Sequence, residues 1–476
     1  MNTKYLIYII LSLLSVEITI ACTKQVEVGA PITNISTLTV FNSDATATSA
    51  QLNLYAVMAK DLYKYHFYAA LSADEYTNSS TNITSLDIYK NSLNTTLDAT
   101  AIGLWSQIYN YVYRINSILE GIQSSTGMSD KVKQQLKGEA LFMRAYYYFY
   151  LVNFYGDVPL ITTTDYKINT AMVRTPQAQV YQQVTQDLQQ AERLLSDKYL
   201  DATDTVVTTD RLRPTSWGAA ALLARTELYT KNWQGADSAA SVVIGNPIYQ
   251  LSSLSGATSV FTKNSAEAIW QIAPSNDLSQ YATPDGYWTI LSAAPSSTDN
   301  NSATISPQLM NAFEANDQRL VNWISTYTNG TSTWKFPYKY KDGKGATVLK
   351  EYTMMLRLGE QYLIRAEARV QNGNTSGAVS DLNVIRERAG LNDYSGATDK
   401  DALLAAVLHE RQVELFSEGH RWFDLKRTGN VGTVLGSPGN VTIAKGGIGW
   451  NAYQQFYPIP LADIQTSSGL LQTPGY

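Results

Sequence analysis

Two stretches decide the fold: ALLARTELYTKNWQGADSAASVVI (Ala221–Ile244) and YLIRAEARVQNGNTSGAVSDLNVIR (Tyr362–Arg386). In each, one alanine (Ala224, Ala366) stands twelve residues before a second that follows a glycine (Ala236, Ala378). Leu, Ile and Val recur around them at three- and four-residue steps, the period of an amphipathic helix. Two helices that cross closely need small side chains at the crossing and larger apolar ones around it. A repeat at this spacing is the mark of tetratricopeptide-type helical pairs. The expected fold is mainly α, a tetratricopeptide-like α-solenoid core of helical pairs.

The same periodicity extends on both sides. Leu52, Tyr55, Met58, Ala59 and Leu62 form one apolar face over 44–68, and Trp105, Ile108, Val112, Ile115 and Leu119 another over 97–123. Leu136, Ala140, Met143 and Tyr147 line the longest run, 129–155, which Gly156 and Pro159 end. Further helices are predicted near 176–196, 214–230, 234–244, 353–372, 375–389 and 400–426. No stretch alternates for long enough to build a large sheet. Residues 246–350 read differently, rich in Ser, Asn, Gly and Pro with scattered aromatics. A segment so long and irregular inside a compact body points to function, and predicts a loop-rich variable insertion with short strands, the ligand region. The expected organisation is a signal peptide (1–21), a lipid-anchored tether (22–43), an N-terminal helical region (44–245), the insertion (246–350), and a C-terminal helical region with an irregular tail (351–476).

Only 16% of the 476 residues are charged and the net charge is −5, while Tyr numbers 32 and Trp 9. A charge-poor surface of hydroxyls, amides and rings suits neutral polar partners such as sugars. It does not suit nucleic acid, which demands basic patches. The single cysteine, Cys22, excludes an intramolecular disulfide and a cysteine metal cluster. With His66, His409 and His420 the only histidines, no metal site and no cofactor are expected.

Cys22 has a better use. The chain opens MNTKYLIYIILSLLSVEITIAC, with Lys4 as a basic start and a twelve-residue apolar run, Tyr5–Val16. That run is too short to span a membrane comfortably and fits a secretory signal. Ala21 supplies the small residue before a cleavage site, although Thr19 and Glu17 depart from the usual apolar pattern. The segment resembles a bacterial lipoprotein signal, cut before a cysteine that receives lipid, so Cys22 is the expected lipid attachment. Acyl chains contribute about 0.8 kcal/mol per buried CH₂, enough for several together to hold a protein on a membrane.

Further blocks complete a pattern: WSQIYNYVYRINSILEGI (Trp105–Ile122), KGEALFMRAYYYFYLVNFYGDVPL (Lys137–Leu160), RPTSWGAAALLARTELY (Arg213–Tyr229), RLGEQYLIRAEARVQNGN (Arg357–Asn374), DLNVIRERAGL (Asp381–Leu391), HERQVELFSEGHRWFDLKRTG (His409–Gly429), YPIPLADI (Tyr457–Ile464) and TPGY (Thr473–Tyr476). In this order and spacing the chain resembles the SusD/RagB family of outer-membrane nutrient-binding lipoproteins along essentially its whole length. The resemblance implies four tetratricopeptide-like pairs as scaffold and a variable region that carries the ligand site. It also implies delivery of a glycan to a SusC-type TonB-dependent outer-membrane barrel, at the cell exterior and without catalysis.

In the family, ligands rest on aromatic platforms and polar groups from a segment after the first long helix and from the later insertion. The matching positions here are Asp74, Tyr76 and Asn78 in the first, and Tyr281, Asp285, Tyr287, Trp288, Trp323 and Trp334 in the second. Trp288, Trp323 and Trp334 are the expected platforms, because a sugar's apolar face stacks on a flat ring. Glu410, Glu414 and Glu418 share a helix face and are read as an ion-pair network with Arg411, Arg421 and Arg427. His409-Glu410 begins like a zinc-protease motif, but Val413 stands where its second histidine belongs. Tyr146–Tyr150 is read as core. Glycoside hydrolysis needs two carboxylates about 5 to 9.5 Å apart, and Asp74–Glu75, Asp285 and Glu314–Asp317 are candidates by type alone. Three alternatives stand beside glycan binding: peptide or other nutrient binding on the same fold, a glycoside-processing enzyme, and a solenoid that binds only protein.

Overall fold

The computed structural model describes residues 40–275, 281–297 and 302–476. The signal segment, Cys22 and nearly all of the tether lie outside the described residues. Helices follow the apolar stripes, and several stop where φ turns positive, as at Gly156, Lys231, Gly373 and Gly390. The first stripe makes two helices, α1 (Asp44–Met58) and α2 (Leu62–Ser72), which runs on into β1 (Tyr76–Asn78). After Gly103, at φ 70°, comes α3 (Leu104–Ser124). Next is α4 (Asp130–Tyr155), which ends at Gly156, φ 77°. Every residue of α4 from Gly138 to Tyr155 is buried, including the run Tyr146–Tyr150. A helix apolar on all sides belongs at the centre.

The body continues with α5 (Gln177–Leu194), α6 (Ser216–Tyr229) and α7 (Trp233–Ile244). The insertion carries β2 (Ala268–Ile272), α8 (Pro284–Thr289), β3 (Ala303–Ile305), β4 (Ile324–Asn329) and β5 (Ser332–Pro337). Then follow β6 (Thr353–Arg357), α9 (Leu358–Gln371), α10 (Thr375–Arg388), α11 (Lys400–Glu414) and α12 (Arg421–Arg427). The helices stack serially: α3 on α4, α4 on α5, α5 on α6, α6 on α7, α7 on α9, and α9 on both α10 and α11. Ala224, Ala236, Ala366 and Ala378 are at most 1% exposed, as close crossings require. The two pairs share a cap as well. Asn232 Oδ1 accepts from the Gly235 amide at 3.2 Å, and Asn374 Oδ1 from the Gly377 amide at 3.0 Å. A Cβ on either glycine would stand 2.6 Å from the capping asparagine's Nδ2, so the cap itself excludes a side chain there.

Two expectations are corrected. The helix expected over 353–372 begins only at Leu358, because residues 353–357 pair antiparallel with β2, Thr353 opposite Ile272 and Arg357 opposite Ala268. Both strands are wholly buried, and this cross-chain pairing overrides the helical period. The helix expected over 400–426 breaks between Glu414 and Arg421, where Ser417 and Gly419 have φ 61° and 78°. A Cβ at Gly419 would lie 3.3 Å from His66 Cα, so the break lets two backbones approach. The insertion's β3 pairs with β1, β4 pairs with β5 as a hairpin, and β5 packs beside β3.

The glutamates of α11 and the turn after it do form a buried ion-pair network, but its cations come from elsewhere. Arg319 Nη1 donates to Glu410 at 2.5 Å and Glu414 at 3.1 Å. Arg357 reaches Glu267 at 2.9 Å, Glu414 at 2.5 Å and Glu418 at 2.8 Å, while Arg388 also pairs with Glu267 and Glu414. Lys339 Nζ donates to Glu418 Oε1 at 2.6 Å. The three arginines expected as partners serve other groups: Arg411 and Arg427 hold Asp424, Arg427 also Glu367, and Arg421 clamps Asp74. Removing one member of such a buried set costs about 3–5 kcal/mol, since a charge is left uncompensated.

Candidate ligand-binding site

The candidate residues gather around the junction of α2 and β1. Helix α8 packs on α2, and its first turn is set by Thr283, whose hydroxyl accepts from the Gly286 amide with Pro284 at the first helical position. This turns Asp285 onto His66 of α2, with Oδ1 2.9 Å from Nδ1. One turn on, Trp288 stacks on Tyr63 of α2 with ring centroids 5.2 Å apart and 24° between planes, and Tyr287 meets Trp288 edge-on at 5.4 Å. Lys344 Nζ stands 5.3 Å from the Tyr287 ring centroid. Tyr63, Tyr281, Tyr287 and Trp288 are all half-buried.

β1 continues the face. Tyr76 is buried, lies tilted against Phe67 of α2 with ring centroids 5.8 Å apart, and donates its hydroxyl to Ser417 Oγ at 2.7 Å. Burial, with Asp285 among the nearby charges, raises the Tyr76 phenol well above its ordinary value. Asn78 pairs with Ala303 of β3. Beyond β3, the hairpin sets Tyr327 opposite Trp334, both half-buried, with ring centroids 6.3 Å apart and 32° between planes. Three polar atoms at these positions are buried without a partner among the described residues: Trp288 Nε1, Asn78 Nδ2 and Asp285 Oδ2. Unsatisfied buried polar groups are uncommon and call for an explanation.

Other candidates take structural places. Trp323 is fully buried, donates Nε1–H to the Leu254 carbonyl at 3.2 Å and meets Phe261 edge-on. Enclosed on the core side of the hairpin, it presents no face for a ligand to stack on. Asp74 is buried and held bidentate by Arg421 at 2.7 and 2.8 Å. Burial alone would raise its carboxyl, but the guanidinium outweighs this and holds it below the ordinary value. Beside it Glu75 is pushed up to about 8 by burial and then by the Asp74 charge. Sequence reasoning missed Tyr63, His66 and Lys344. Tyr63 and His66 lie off the apolar stripe of Leu62, and aromatic residues on the second face of a helix were the signal that could have found them. Lys344 offered none. Among the described residues no group of three His, Cys, Asp or Glu side chains could hold a metal, and no helix is long and apolar enough to cross a membrane.

With this geometry in place, comparison with known proteins is informative. Residues 313–476 match the sequence model of the SusD family, and residues 30–228 match a model described as starch-binding and associating with outer membrane. A SusD-like protein, P25, of Formosa agariphila is 23% identical over 91% of this chain and 92% of its own. The starch-binding protein SusD of Bacteroides thetaiotaomicron is 32% identical over 32% of this chain and 27% of its own. Among solved structures, a SusD superfamily protein of Bacteroides vulgatus superposes with a TM-score of 0.77 at 23% identity, covering 91% of this chain and 99% of that one. A laminarin-binding SusD-like protein gives 0.71 at 24% identity, over 90% and 99%. These likenesses fix the mainly helical fold.

Proposed function

The chain belongs to the SusD/RagB family, and on that premise we propose that it binds oligo- or polysaccharide at the cell surface and delivers it to a SusC-type TonB-dependent outer-membrane barrel, without catalysis. Its place is the outer membrane, facing the exterior, held by lipid on Cys22. The named starch- and laminarin-binding relatives support a glycan as the ligand class. The observation that carries the reading is the face of α8, α2 and β1. It carries half-buried rings on α2 and α8 together with two donors, Trp288 Nε1 and Asn78 Nδ2 of β1, and one acceptor, Asp285 Oδ2, that have no partner among the described residues. Sugars present an apolar ring face and hydroxyls that both donate and accept, the complement of such a surface. Trp334 and Tyr327 supply a second ring pair beyond β3.

The carboxylates nearest this face are engaged or enclosed: Asp74 is occupied by Arg421, Asp285 is paired with His66, and Glu75 is only 1% exposed. Stacking contributes about 0.5–1.5 kcal/mol per ring beyond area burial, set against association costs of at least about 4 kcal/mol. Dissociation constants between about millimolar and micromolar follow, which suits a protein that must release its ligand to a transporter.

The test is calorimetric titration of the full chain in detergent against plant, host and microbial glycans, with chromatography of the glycan afterwards. Saturable binding without shortened product, weakened about 2- to 12-fold by Trp288→Ala or Trp334→Ala, supports the reading. Product release would overturn its non-catalytic part, and indifference to both substitutions would overturn the site. Unchanged membrane attachment after Cys22→Ser would refute the anchor.

A further inference from the structure

A cleft of 360 Å³ opens elsewhere, between the N-terminal helical region and residues 463–470 of the tail. One wall is a ladder on a single face of α3, Trp105, Tyr109 and Tyr113, at four-residue steps. Tyr109 is fixed by its hydroxyl, which donates to the Pro159 carbonyl at 2.8 Å, and by the edge of Trp105 at 4.8 Å. Tyr113, one turn further, is 54% exposed and leaves its ring uncovered. The rest of the lining mixes apolar side chains, Ile161, Met172 and Leu470, with polar ones. Asn169 donates from Nδ2 to the Thr163 carbonyl at 2.9 Å, while its Oδ1 is buried with no donor among the described residues. Asp463 also lines the cleft, and partial burial raises its carboxyl above the ordinary value. Among the described residues no Lys or Arg lines the cleft. Two chain segments close it, since a Cβ at Gly469 would come within 2.9 Å of Val173 Cγ1.

The chemistry narrows the occupant. Two acceptors with no cation between them reject an anion, and an unpaired amide oxygen and carboxylate are wasted on a hydrocarbon chain. What remains is a ligand with one flat apolar face and several hydroxyl donors. We propose that this cleft is a second carbohydrate subsite, which takes a pyranose ring stacked on Tyr113 with hydroxyls donating to Asn169 Oδ1 and Asp463. It shares no residue with the face of α8, α2 and β1. It goes beyond the proposed function by giving the chain two grips on one long glycan or on two short ones. Two weak grips on a single polymer raise the overall affinity through effective concentration, with no new contact.

The experiment uses the full chain in detergent, with maltoheptaose and laminarihexaose as probes in calorimetric titration. In a Trp288→Ala/Trp334→Ala background, at least one probe is expected to keep a saturable phase. Adding Tyr113→Ala or Asp463→Asn should weaken that phase about tenfold. Tyr113 is exposed, so its variant keeps the fold, checked by far-ultraviolet circular dichroism. A background that binds nothing, or whose residual binding ignores Tyr113→Ala and Asp463→Asn, overturns the second subsite and leaves the first standing. Failure of the unmodified chain to bind either probe also overturns it. If instead Tyr113→Ala alone abolishes binding while Trp288→Ala changes nothing, this subsite stands and the face of α8 falls.

Discussion

Replacing Trp323 by alanine is expected to weaken the fold severely and leave ligand recognition in the folded molecules unchanged. The indole is fully buried. Its ring meets Phe261 at 5.6 Å and Phe416 at 6.4 Å, with Lys339 Nζ 4.7 Å and the Arg388 guanidinium 5.4 Å from its centroid. Truncating a buried Trp to Ala costs about 3–5 kcal/mol in lost transfer energy and cavity. The Leu254 carbonyl also loses its donor, and three cations, Lys339, Arg357 and Arg388, lose the ring beneath them, which places this site in the upper half of that range. Against a total stability of about 5–15 kcal/mol the loss is large. Guanidinium unfolding followed by circular dichroism reads it as a lower midpoint at unchanged slope, and titration of the folded variant reads affinity. A loss below about 1 kcal/mol, or normal stability with affinity abolished, would refute the reasoning. Trp323 would then be a platform, as its sequence context first led one to expect.

Three further outcomes follow from the geometry. Asp74→Asn and Arg421→Met should each cost about 3–5 kcal/mol by leaving a buried charge unpaired, and the double variant should recover part of that in a denaturation cycle. Glu75 has a folded-state value raised to about 8 from 4.5, so the stability it contributes is full below its unfolded value and is lost as pH rises toward 8. Glu75→Gln should therefore match the natural protein near pH 4 and exceed its stability at pH 8, and parallel stability–pH curves would count against this. Gly377→Ala should lose about the worth of a helix cap, 0.5–2 kcal/mol, in thermal unfolding, because a Cβ collides with Asn374; an unchanged midpoint would mean the asparagine caps nothing that matters.

The helical frame was legible because it rests on local periodicity. The alanine pairs, the α4 run and its stop at Gly156 all encode themselves within a few turns of chain. Residues 353–357 were not legible as a strand, because their partner lies some eighty residues away in β2 and nothing local distinguishes TMMLR from the start of a helix. Charge partners failed for the same reason. The spacing of Glu410, Glu414 and Glu418 announced a network, but Arg319, Arg357 and Arg388 reach it from other elements. Ligand candidates were chosen by residue type and family position, which separates aromatic from aliphatic but not inward from outward. Trp323 and Trp334 sit on either side of that division although only eleven residues apart.

The elements that carry the proposed ligand groups are too short to hold themselves. β1 has three residues and α8 six, below what a strand or helix needs for independent stability. Their positions are imposed by contacts to the rigid body: Asp285 on His66, Tyr76 on Ser417, Asp74 on Arg421. Two of these three contacts end in the turn and helix start at 417–421, where Gly419 also lies against His66. The break in the expected long helix is therefore the point at which the C-terminal helical region sets α2, and through α2 the insertion. Such contacts can hold binding groups to within the fraction of an ångström that recognition needs. A change at Ser417 or Gly419, remote from any ligand, should loosen the face as effectively as a change on the face itself.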